Sequence, residues 1–250
     1  MQPLVHIGYQ KTASTWLQKY VFNASSPVFR QPCEHTYGEA HQHFIYGREF
    51  DFNPDKALEV FGPGIQACEK DGFIPVISNE NLVGNSVVPY DYAKSTAEKI
   101  FKTFPNARIL IFIRKQKDLI ASLYRQHIKV GNQTLLTDFL NKKYSKPGFW
   151  PTFVPERLAY DELIAHYQKL FGSERVLVLS YEQFRNSNAN ALQKILEFVE
   201  FDGTVNPLDT SQSSLNTGYK GVALELKRKL NYVMPKPYFG GSNFPVSQRI

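Results

Sequence analysis

The chain has 250 residues, of which 42% are hydrophobic and 14% aromatic. This is enough for one sizeable core, so we predict a single domain over residues 1–250. The formal net charge of +6 and the isoelectric point near 9.1 suit an anionic partner, although a basic surface kept for solubility would give the same charge. The basic residues are scattered rather than gathered in one block, so a nucleotide-sized anion fits as well as a polymer.

Composition also sets expectations about location. There is no apolar run of about 18 residues, so we predict no membrane span. The first strand-like run begins at Leu4, which leaves no room for a cleavable leader before it. The two cysteines, Cys33 and Cys68, do not make a disulfide framework and are expected to be free thiols. These features predict a cytoplasmic protein, and the end at Ile250 has no closing element, as in a chain cut short.

Strand-like and helix-like segments alternate along the sequence. The nearly continuous apolar runs of strand length are Leu4–Gly8, Ile74–Ser78, Ile109–Ile113 and Val176–Leu179. Helix-period segments are Ser14–Phe22, Asp55–Lys70, Asp91–Phe104, Lys117–Val130, Leu135–Lys142, Glu156–Phe171, Asn190–Val199 and Tyr219–Tyr232. This order predicts a three-layer α/β fold, with a mainly parallel central sheet flanked by helices and ligands at the carboxyl ends of the strands.

The loop after the first strand has the features of an anion site. It carries Lys11, Thr12, Ala13, Ser14, Thr15 and Trp16 at the start of a predicted helix. Backbone N–H groups there, with the Lys11 charge and the hydroxyls, can bind a phosphate or sulfate. The Walker A pattern fails, because Gln10 replaces the glycine before Lys11. The alternative is an ordinary helix capped by Thr12 or Ser14, with Lys11 in solvent.

A second candidate anion motif follows the third strand. Arg114 ends that strand, and Ser122 lies eight residues later within the next predicted helix. Taken singly, they could equally be a surface arginine and an ordinary helix serine.

Together the two motifs resemble those of the sulfotransferases that use 3′-phosphoadenosine 5′-phosphosulfate (PAPS). The resemblance spans residues 4 to 185 and includes the pair Tyr181-Glu182 after a later strand. It implies a sulfotransferase fold related to the P-loop nucleotide hydrolases, with PAPS as sulfuryl donor, its desulfated form PAP as product, and no metal. It also implies that the loop from Lys11 to Trp16 holds the 5′-phosphosulfate and that Arg114 and Ser122 hold the 3′-phosphate.

The sequence departs from the family pattern in three places. Ala13 replaces the central glycine of the first motif, and Gln116 replaces a common proline shortly after the arginine. The family often has a basic, glycine-containing loop near its end that contacts the 3′-phosphate. Lys220-Gly221 is the nearest candidate for that loop, and the match is loose.

Catalysis of sulfuryl transfer needs charge stabilisation and a base. Lys11 is predicted to stabilise the leaving oxygen. Glu80, two residues beyond the second strand, is the predicted base for the acceptor hydroxyl, in a region where the resemblance also implies one. Glu80 could instead cap the following loop or pair with Lys11 or Arg114. His6 lies within the first strand run and is predicted to be a core histidine.

Other side chains could meet the acceptor. Cys33, His35, His41 and His43 lie within eleven residues, but their spacing matches no standard zinc pattern, so we predict no metal there. His41 and His43 are candidate acceptor contacts or alternative bases. Trp150 could stack on a sugar or arene, or it could pin its own loop by burial.

The sequence therefore predicts an enzyme that transfers a sulfuryl group from PAPS to a hydroxyl of a carbohydrate or small-molecule acceptor. A glutamate base is frequent in carbohydrate-directed members of the family, which favours a polyhydroxyl acceptor. The alternatives are a small-molecule kinase of the related P-loop fold and a non-catalytic binder of nucleotides or nucleic acid. The leading prediction involves no nucleic-acid partner, and the oligomeric state stays open.

Overall fold

The structure is a computed structural model that describes residues 2–84, 91–141, 153–201 and 221–233. At its centre is a five-stranded parallel sheet with strand order β2-β3-β1-β4-β5. The strands are β1 Leu4–His6, β2 Phe29–Arg30, β3 Ile74–Ser78, β4 Arg108–Ile113 and β5 Val176–Ser180. All four predicted strands are present. The two-residue strand β2 was not predicted, because it is too short to give a pattern.

Helices connect successive strands and flank the sheet. They are α1 Ser14–Tyr20, α2 Thr36–Ala40, α3 Pro54–Lys70, α4 Ala93–Thr103, α5 Gln116–Lys129, α6 Leu136–Asn141, α7 Tyr160–Phe171, α8 Tyr181–Asn186, α9 Asn188–Phe198 and α10 Gly221–Leu230. Several begin at ordinary caps. The Asn53 side chain accepts a hydrogen bond from the Asp55 N–H at the start of α3, and Ser180 and Ser187 cap α8 and α9 in the same way.

The sheet separates two hydrophobic cores, because successive strand residues point to opposite faces. Val5, Ile77 and Ile109 belong to the core that α3, α4, α5 and α7 cover. Leu4 and Leu110 belong to the other core, which α1, α8 and α9 cover. Burial on both faces explains why the strands read as continuous apolar runs, and the predicted three-layer α/β fold is confirmed.

Two regions differ from the sequence prediction. The predicted helix Glu156–Phe171 is divided into a 3-10 turn, Pro155–Leu158, and α7, with Ala159 outside helical geometry between them. The segment after α1, where no helix was predicted, contains α2 and a π-helical turn, His41–Tyr46. Its sequence gives little helical signal, because α2 has only five residues and includes Gly38.

Within the described ranges, no helix is both long and apolar enough to cross a membrane. Cys33 and Cys68 are both free thiols. Most of the predicted loop around Trp150, and the whole stretch from Met234 onwards, lie outside the described residues.

Candidate functional site

Three candidate residues follow neighbouring strands at the carboxyl edge of the sheet. Lys11 follows the central strand β1, Glu80 follows β3 on one side, and Arg114 follows β4 on the other. Because parallel strands end at the same edge, the fold brings together groups that are far apart in sequence. Their hydrogen bonds and ring contacts determine what kind of site they form.

The loop between β1 and α1 has a constrained backbone. Lys11 and Ala13 both adopt left-handed conformations, with φ of 65° and 78°. The hydroxyl of Thr12, which is fully buried, donates to the Tyr9 carbonyl within the loop. Ala13 occupies the N-cap position of α1, and no side chain caps the helix. The alternative of an ordinary helix capped by Thr12 or Ser14 is therefore not what the structure contains.

Ser14 presents a hydroxyl at the start of α1. Its side chain is buried, and within the described residues its Oγ meets no hydrogen-bond partner. A buried hydroxyl without a partner costs about 1–3 kcal/mol. A ligand oxygen at the first turn of α1, where backbone N–H groups are also free, would satisfy it.

Lys11 turns towards helix α5. Its Nζ donates a hydrogen bond of 3.2 Å to Gln126 Oε1. Although the residue is exposed overall, burial around the amine lowers the pKa of Lys11, the Lys129 charge lowers it further, and Glu80 opposes both. The amine thus lies between α5 and the Glu80 carboxylate, and the alternative of a lysine free in solvent does not describe it.

Arg114 joins the two motifs. Its Nη1 donates to the Lys11 carbonyl at 3.0 Å, and its guanidinium lies 4.4 Å from the centre of the Tyr181 ring. The Tyr160 hydroxyl donates to the Arg114 carbonyl at 2.9 Å. Arg114 Nε is buried without a hydrogen-bond partner in the described part of the chain. Like Ser14 Oγ, it is a polar atom that a bound anion would satisfy.

The Tyr181-Glu182 pair supports this arrangement. Tyr181 provides the aromatic face beneath the Arg114 guanidinium, and Glu182 Oε1 accepts from the Lys115 N–H at 3.1 Å. Both residues thereby fix the turn that carries Arg114.

The remaining donor-site candidates are placed less directly. Ser122 is half-buried on α5, one turn before Gln126, and so lies on the helix face that meets Lys11. Gly221 begins α10 with φ of 50°, and α10 packs against α5. Within the described ranges, no hydrogen bond joins Gly221 to Arg114 or Ser122. Lys220 and Trp150 lie outside the described residues.

Glu80 begins a 3-10 turn, Glu80–Val83, that Asn79 caps by accepting from the Asn81 N–H at 2.9 Å. Glu80 therefore does not serve as the cap. In the described ranges it forms no ion pair with Lys11 or Arg114 within 4.0 Å. Its Oε2 accepts a hydrogen bond of 3.1 Å from Gln18 Nε2. The carboxylate is oriented by an amide and is not neutralised by a direct cation contact.

The two candidate histidines differ. His41 Nδ1 lies 3.1 Å from Asn79 Nδ2, next to Glu80, and burial lowers the pKa of His41. His43 instead lies 3.5 Å from Glu39 and packs on Phe61. The structure thus brings His41 to the neighbourhood of the candidate base and does not bring His43 there.

The cysteine and histidine segment shows other contacts. Cys33 Sγ lies 3.3 Å from the Thr36 hydroxyl. Among the described residues, no group of three His, Cys, Asp or Glu side chains could hold a metal ion.

Sequence reasoning missed a polar network beside Glu80. Gln10 Nε2 donates to Asn81 Oδ1 at 2.6 Å, and Asn81 Nδ2 donates to the Tyr37 hydroxyl at 2.7 Å. Burial and the Glu80 charge both raise the pKa of Tyr37, so this hydroxyl stays protonated. Gln18 was also missed, although its position one turn after Ser14 on α1 is a signal that could have found it.

A small cleft opens beside this loop. It is lined by Tyr9, Gln10, Gly84, Leu119, Leu123 and Arg157. Leu119 and Leu123 lie on α5, and Gln10 directly precedes Lys11. An apolar wall and polar groups therefore meet next to the candidate anion loop.

Comparisons with known proteins agree with the fold. A sulfotransferase from Alicyclobacillus acidocaldarius has a similar structure, with a TM-score of 0.61 at 19% identity over 86% of this chain and 87% of that one. A sulfotransferase domain from the curacin biosynthetic pathway gives a TM-score of 0.50 at 15% identity, over 90% and 82% of the two chains. These likenesses show a shared fold. None of the curated proteins compared with the chain matches it.

The family model described as the sulfotransferase domain matches residues 2–218. That range includes both anion motifs, Glu80 and the whole central sheet. The match extends over most of the chain, and the chain therefore belongs to the sulfotransferase family.

Proposed function

We propose that this protein transfers a sulfuryl group from PAPS to a hydroxyl of a carbohydrate or small-molecule acceptor. The observation that carries the proposal is the bond between Arg114 and the Lys11 carbonyl, which unites the two anion motifs in one site. Ser14 Oγ in the first motif and Arg114 Nε in the second are both buried and without a hydrogen-bond partner in the described residues. A ligand with anionic groups at both ends fits this arrangement.

The donor-binding roles follow from the loops. The backbone from Lys11 to Trp16, with the Thr12, Ser14 and Thr15 positions, would hold the 5′-phosphosulfate at the start of α1. Arg114, with Ser122 on α5 and the Lys220-Gly221 segment, would hold the 3′-phosphate. An arginine suits this role, since its guanidinium can bind two phosphate oxygens at once. We also propose that residues 1–250 form one domain.

In the proposed reaction, the anionic Glu80 and the cationic Lys11 would lie on opposite sides of the transferred sulfuryl group. PAPS supplies the sulfuryl group and leaves as PAP. Glu80 would take the proton of the acceptor hydroxyl as the new oxygen–sulfur bond forms and the bond to the phosphate oxygen breaks. Lys11 would stabilise the charge that grows on that phosphate oxygen. No metal is required for these steps.

The surroundings of Glu80 support a hydroxyl acceptor. Tyr37, His41 and Asn81 present hydroxyl, imidazole and amide groups within one network beside the carboxylate. Such groups bind sugar and alcohol hydroxyls by hydrogen bonding.

The free thiols Cys33 and Cys68 suit a reducing compartment, and we propose that the enzyme is cytoplasmic.

Ligand binding tests the donor, and turnover tests the reaction. PAP should raise the melting temperature more than ATP does, and Lys11→Ala should reduce the shift. Turnover should be measured as PAP release and label transfer from radiolabelled PAPS, with a panel of monosaccharides, oligosaccharides and phenols. Magnesium-dependent ATP turnover, or equal stabilisation by ATP and PAP, would contradict the proposal and favour a kinase. Salt-sensitive RNA or DNA binding without turnover would favour a non-catalytic binder.

A further inference from the structure

We infer that Gln18 is a positioning residue that orients the Glu80 carboxylate for proton transfer. The inference rests on the proposed function, because it concerns the base of that reaction. Gln18 does not belong to either anion motif. It lies in the middle of α1 and is half-buried.

The contacts of the Gln18 amide account for both of its hydrogens. Its Nε2 lies 3.1 Å from Glu80 Oε2, 3.3 Å from Ser78 Oγ and 3.5 Å from the Ser78 carbonyl. One N–H can bond to the carboxylate while the other is directed at Ser78. All three neighbouring atoms can accept, so the amide must present its NH2 group here and not its oxygen.

The Ser78 hydroxyl is itself held by a hydrogen bond to a residue of the core. Its Oγ lies 2.8 Å from His6 Nδ1, and His6 is fully buried between Phe22 and Phe112. Burial lowers the pKa of His6 to about 3, so the ring is neutral at physiological pH. In either tautomer of a neutral ring, Ser78 Oγ keeps a lone pair for the Gln18 amide. The chain His6, Ser78, Gln18 and Glu80 therefore runs from the core to the site.

Helix α1 links this chain to the candidate donor site. Ser14 lies at the first turn of α1, and Gln18 follows one turn later. Residues four apart lie on the same face of a helix, so one face carries both the candidate phosphate contact and the amide that holds the base. The rigid turn between them would set the distance from donor to base.

Occupation of Oε2 by Gln18 leaves Oε1 of Glu80 to accept the acceptor proton. The amide also stabilises the charged carboxylate, which is the form that a base needs. The other charged or titratable groups around the carboxylate are Lys11 across the loop, Tyr37 on α2, and His41 through Asn79. Gln18 differs from these, since it is an uncharged donor in direct contact with the carboxylate.

The test is Gln18→Met, which keeps the length of the side chain and removes the donor. It should lower kcat by about 10- to 100-fold, the effect expected for one lost hydrogen bond to a charged group. The KM for PAPS and the melting shift given by PAP should keep their wild-type values. A fall in kcat without a change in KM separates a role in orienting the base from a structural role, which would weaken PAP binding as well.

The matched control is Gln193→Met. Gln193 donates to Glu197 at 3.0 Å on the exposed surface of α9, so this change removes a similar amide–carboxylate contact far from the site. It should leave kcat and the KM for PAPS unchanged. A reduced PAP shift in Gln18→Met would indicate a merely structural effect of the residue on α1 and would overturn the inference.

The outcomes separate this inference from the proposed function. If the wild-type protein transfers no sulfuryl group from PAPS, the proposed function fails and the inference fails with it. If the wild type is active and Glu80→Gln abolishes activity, but Gln18→Met has wild-type kcat, the inference alone is overturned. A lowered kcat with unchanged KM for PAPS and unchanged PAP binding supports it.

Discussion

Arg114 and Lys11, 103 residues apart in sequence, are joined by a hydrogen bond of 3.0 Å from the Arg114 guanidinium to the Lys11 carbonyl. The bond closes the loop of the first anion motif against the end of β4. It also places the backbone of the first motif within reach of the second. A ligand that needs both motifs would therefore bind to a site that already exists without it.

Arg114→Lys should weaken nucleotide binding although it retains the positive charge. A lysine cannot reproduce the guanidinium's bond to Lys11 together with its contact on the Tyr181 ring. The loss of one hydrogen bond to a charged group is about 1.5–3 kcal/mol, so the dissociation constant for PAP should rise by about 10- to 100-fold. Isothermal titration with PAP measures the change.

The control for that prediction is Arg48→Ala. Arg48 is 75% exposed and pairs with Asp51 on the surface, so the variant removes one positive charge without touching the site. Its affinity for PAP should stay within twofold of the wild type, since isolated surface pairs contribute little. A loss of affinity in Arg48→Ala with none in Arg114→Lys would mean that net charge alone governs binding, and the site assignment would be wrong.

Glu80→Gln should retain PAP binding and lose transfer. The amide keeps the size and the hydrogen-bonding capacity of the side chain but cannot take a proton at neutral pH. Loss of a general base lowers kcat by about 10²- to 10⁴-fold. Paired measurements of PAP affinity and sulfuryl transfer check both halves of the prediction.

His43→Gln serves as the comparison for Glu80→Gln. His43 contacts Glu39 and Phe61 and, in the described part of the chain, forms no hydrogen bond or ion pair with Asn79 or Glu80, so its variant should keep most of the activity. If instead Glu80→Gln remained fully active and His43→Gln did not, the base would be the histidine. His41→Gln then tests the other histidine, which lies against Asn79.

The fold was predictable because its strands are buried on both faces. Ile74–Ser78 matches the predicted strand at both ends, and all five of its residues are buried, as expected for a strand covered on both faces. The order of strands and helices then placed Lys11, Glu80 and Arg114 at one edge of the sheet. These residues were found because each directly follows or ends a strand, which is a local signal.

The contacts between those residues were not predictable. The contacts of Gln126 with Lys11 and of Tyr181 with Arg114 join residues far apart in sequence, which no local pattern encodes. A glutamine on a helix usually indicates a solvated side chain. Ala13 shows the opposite case, because the sequence revealed a departure from the family's glycine while only the structure shows its backbone conformation. Because φ of Ala13 is 78°, in the left-handed region, the alanine strains the backbone where a glycine would not.

Ala13→Gly should stabilise the protein. The left-handed conformation destabilises the folded state of an L-residue by about 1–2 kcal/mol relative to glycine. The greater freedom of glycine in the unfolded chain offsets about 0.5–1 kcal/mol of the gain from the substitution. The net gain should be about 0.5–1 kcal/mol, measured by urea denaturation. The matched variant is Ala67→Gly, in the exposed interior of α3, which should lose about 1 kcal/mol. Destabilisation by both variants would show that the loop does not strain Ala13.

Burial of His6 should make stability depend on pH below neutrality. The pKa of His6 falls from its usual 6.5 to about 3 in the folded protein, because burial disfavours the charged ring. Between these values the unfolded chain binds a proton that the folded protein does not. The free energy of unfolding therefore decreases as the pH falls from 6.5 towards 3, by up to about 1.4 kcal/mol per pH unit.

His6→Gln removes this titration and should flatten the slope of stability against pH between 6.5 and 5, although it lowers stability at pH 7. Val5→Ala, at the neighbouring buried position of β1, should lower stability by a similar amount and keep the wild-type slope. The difference between the two slopes isolates His6, since the other ionisable groups are common to both variants. Urea denaturation at pH 5, 5.5, 6 and 6.5 measures it, and parallel slopes for the two variants would mean that His6 binds its proton equally in the folded and unfolded states.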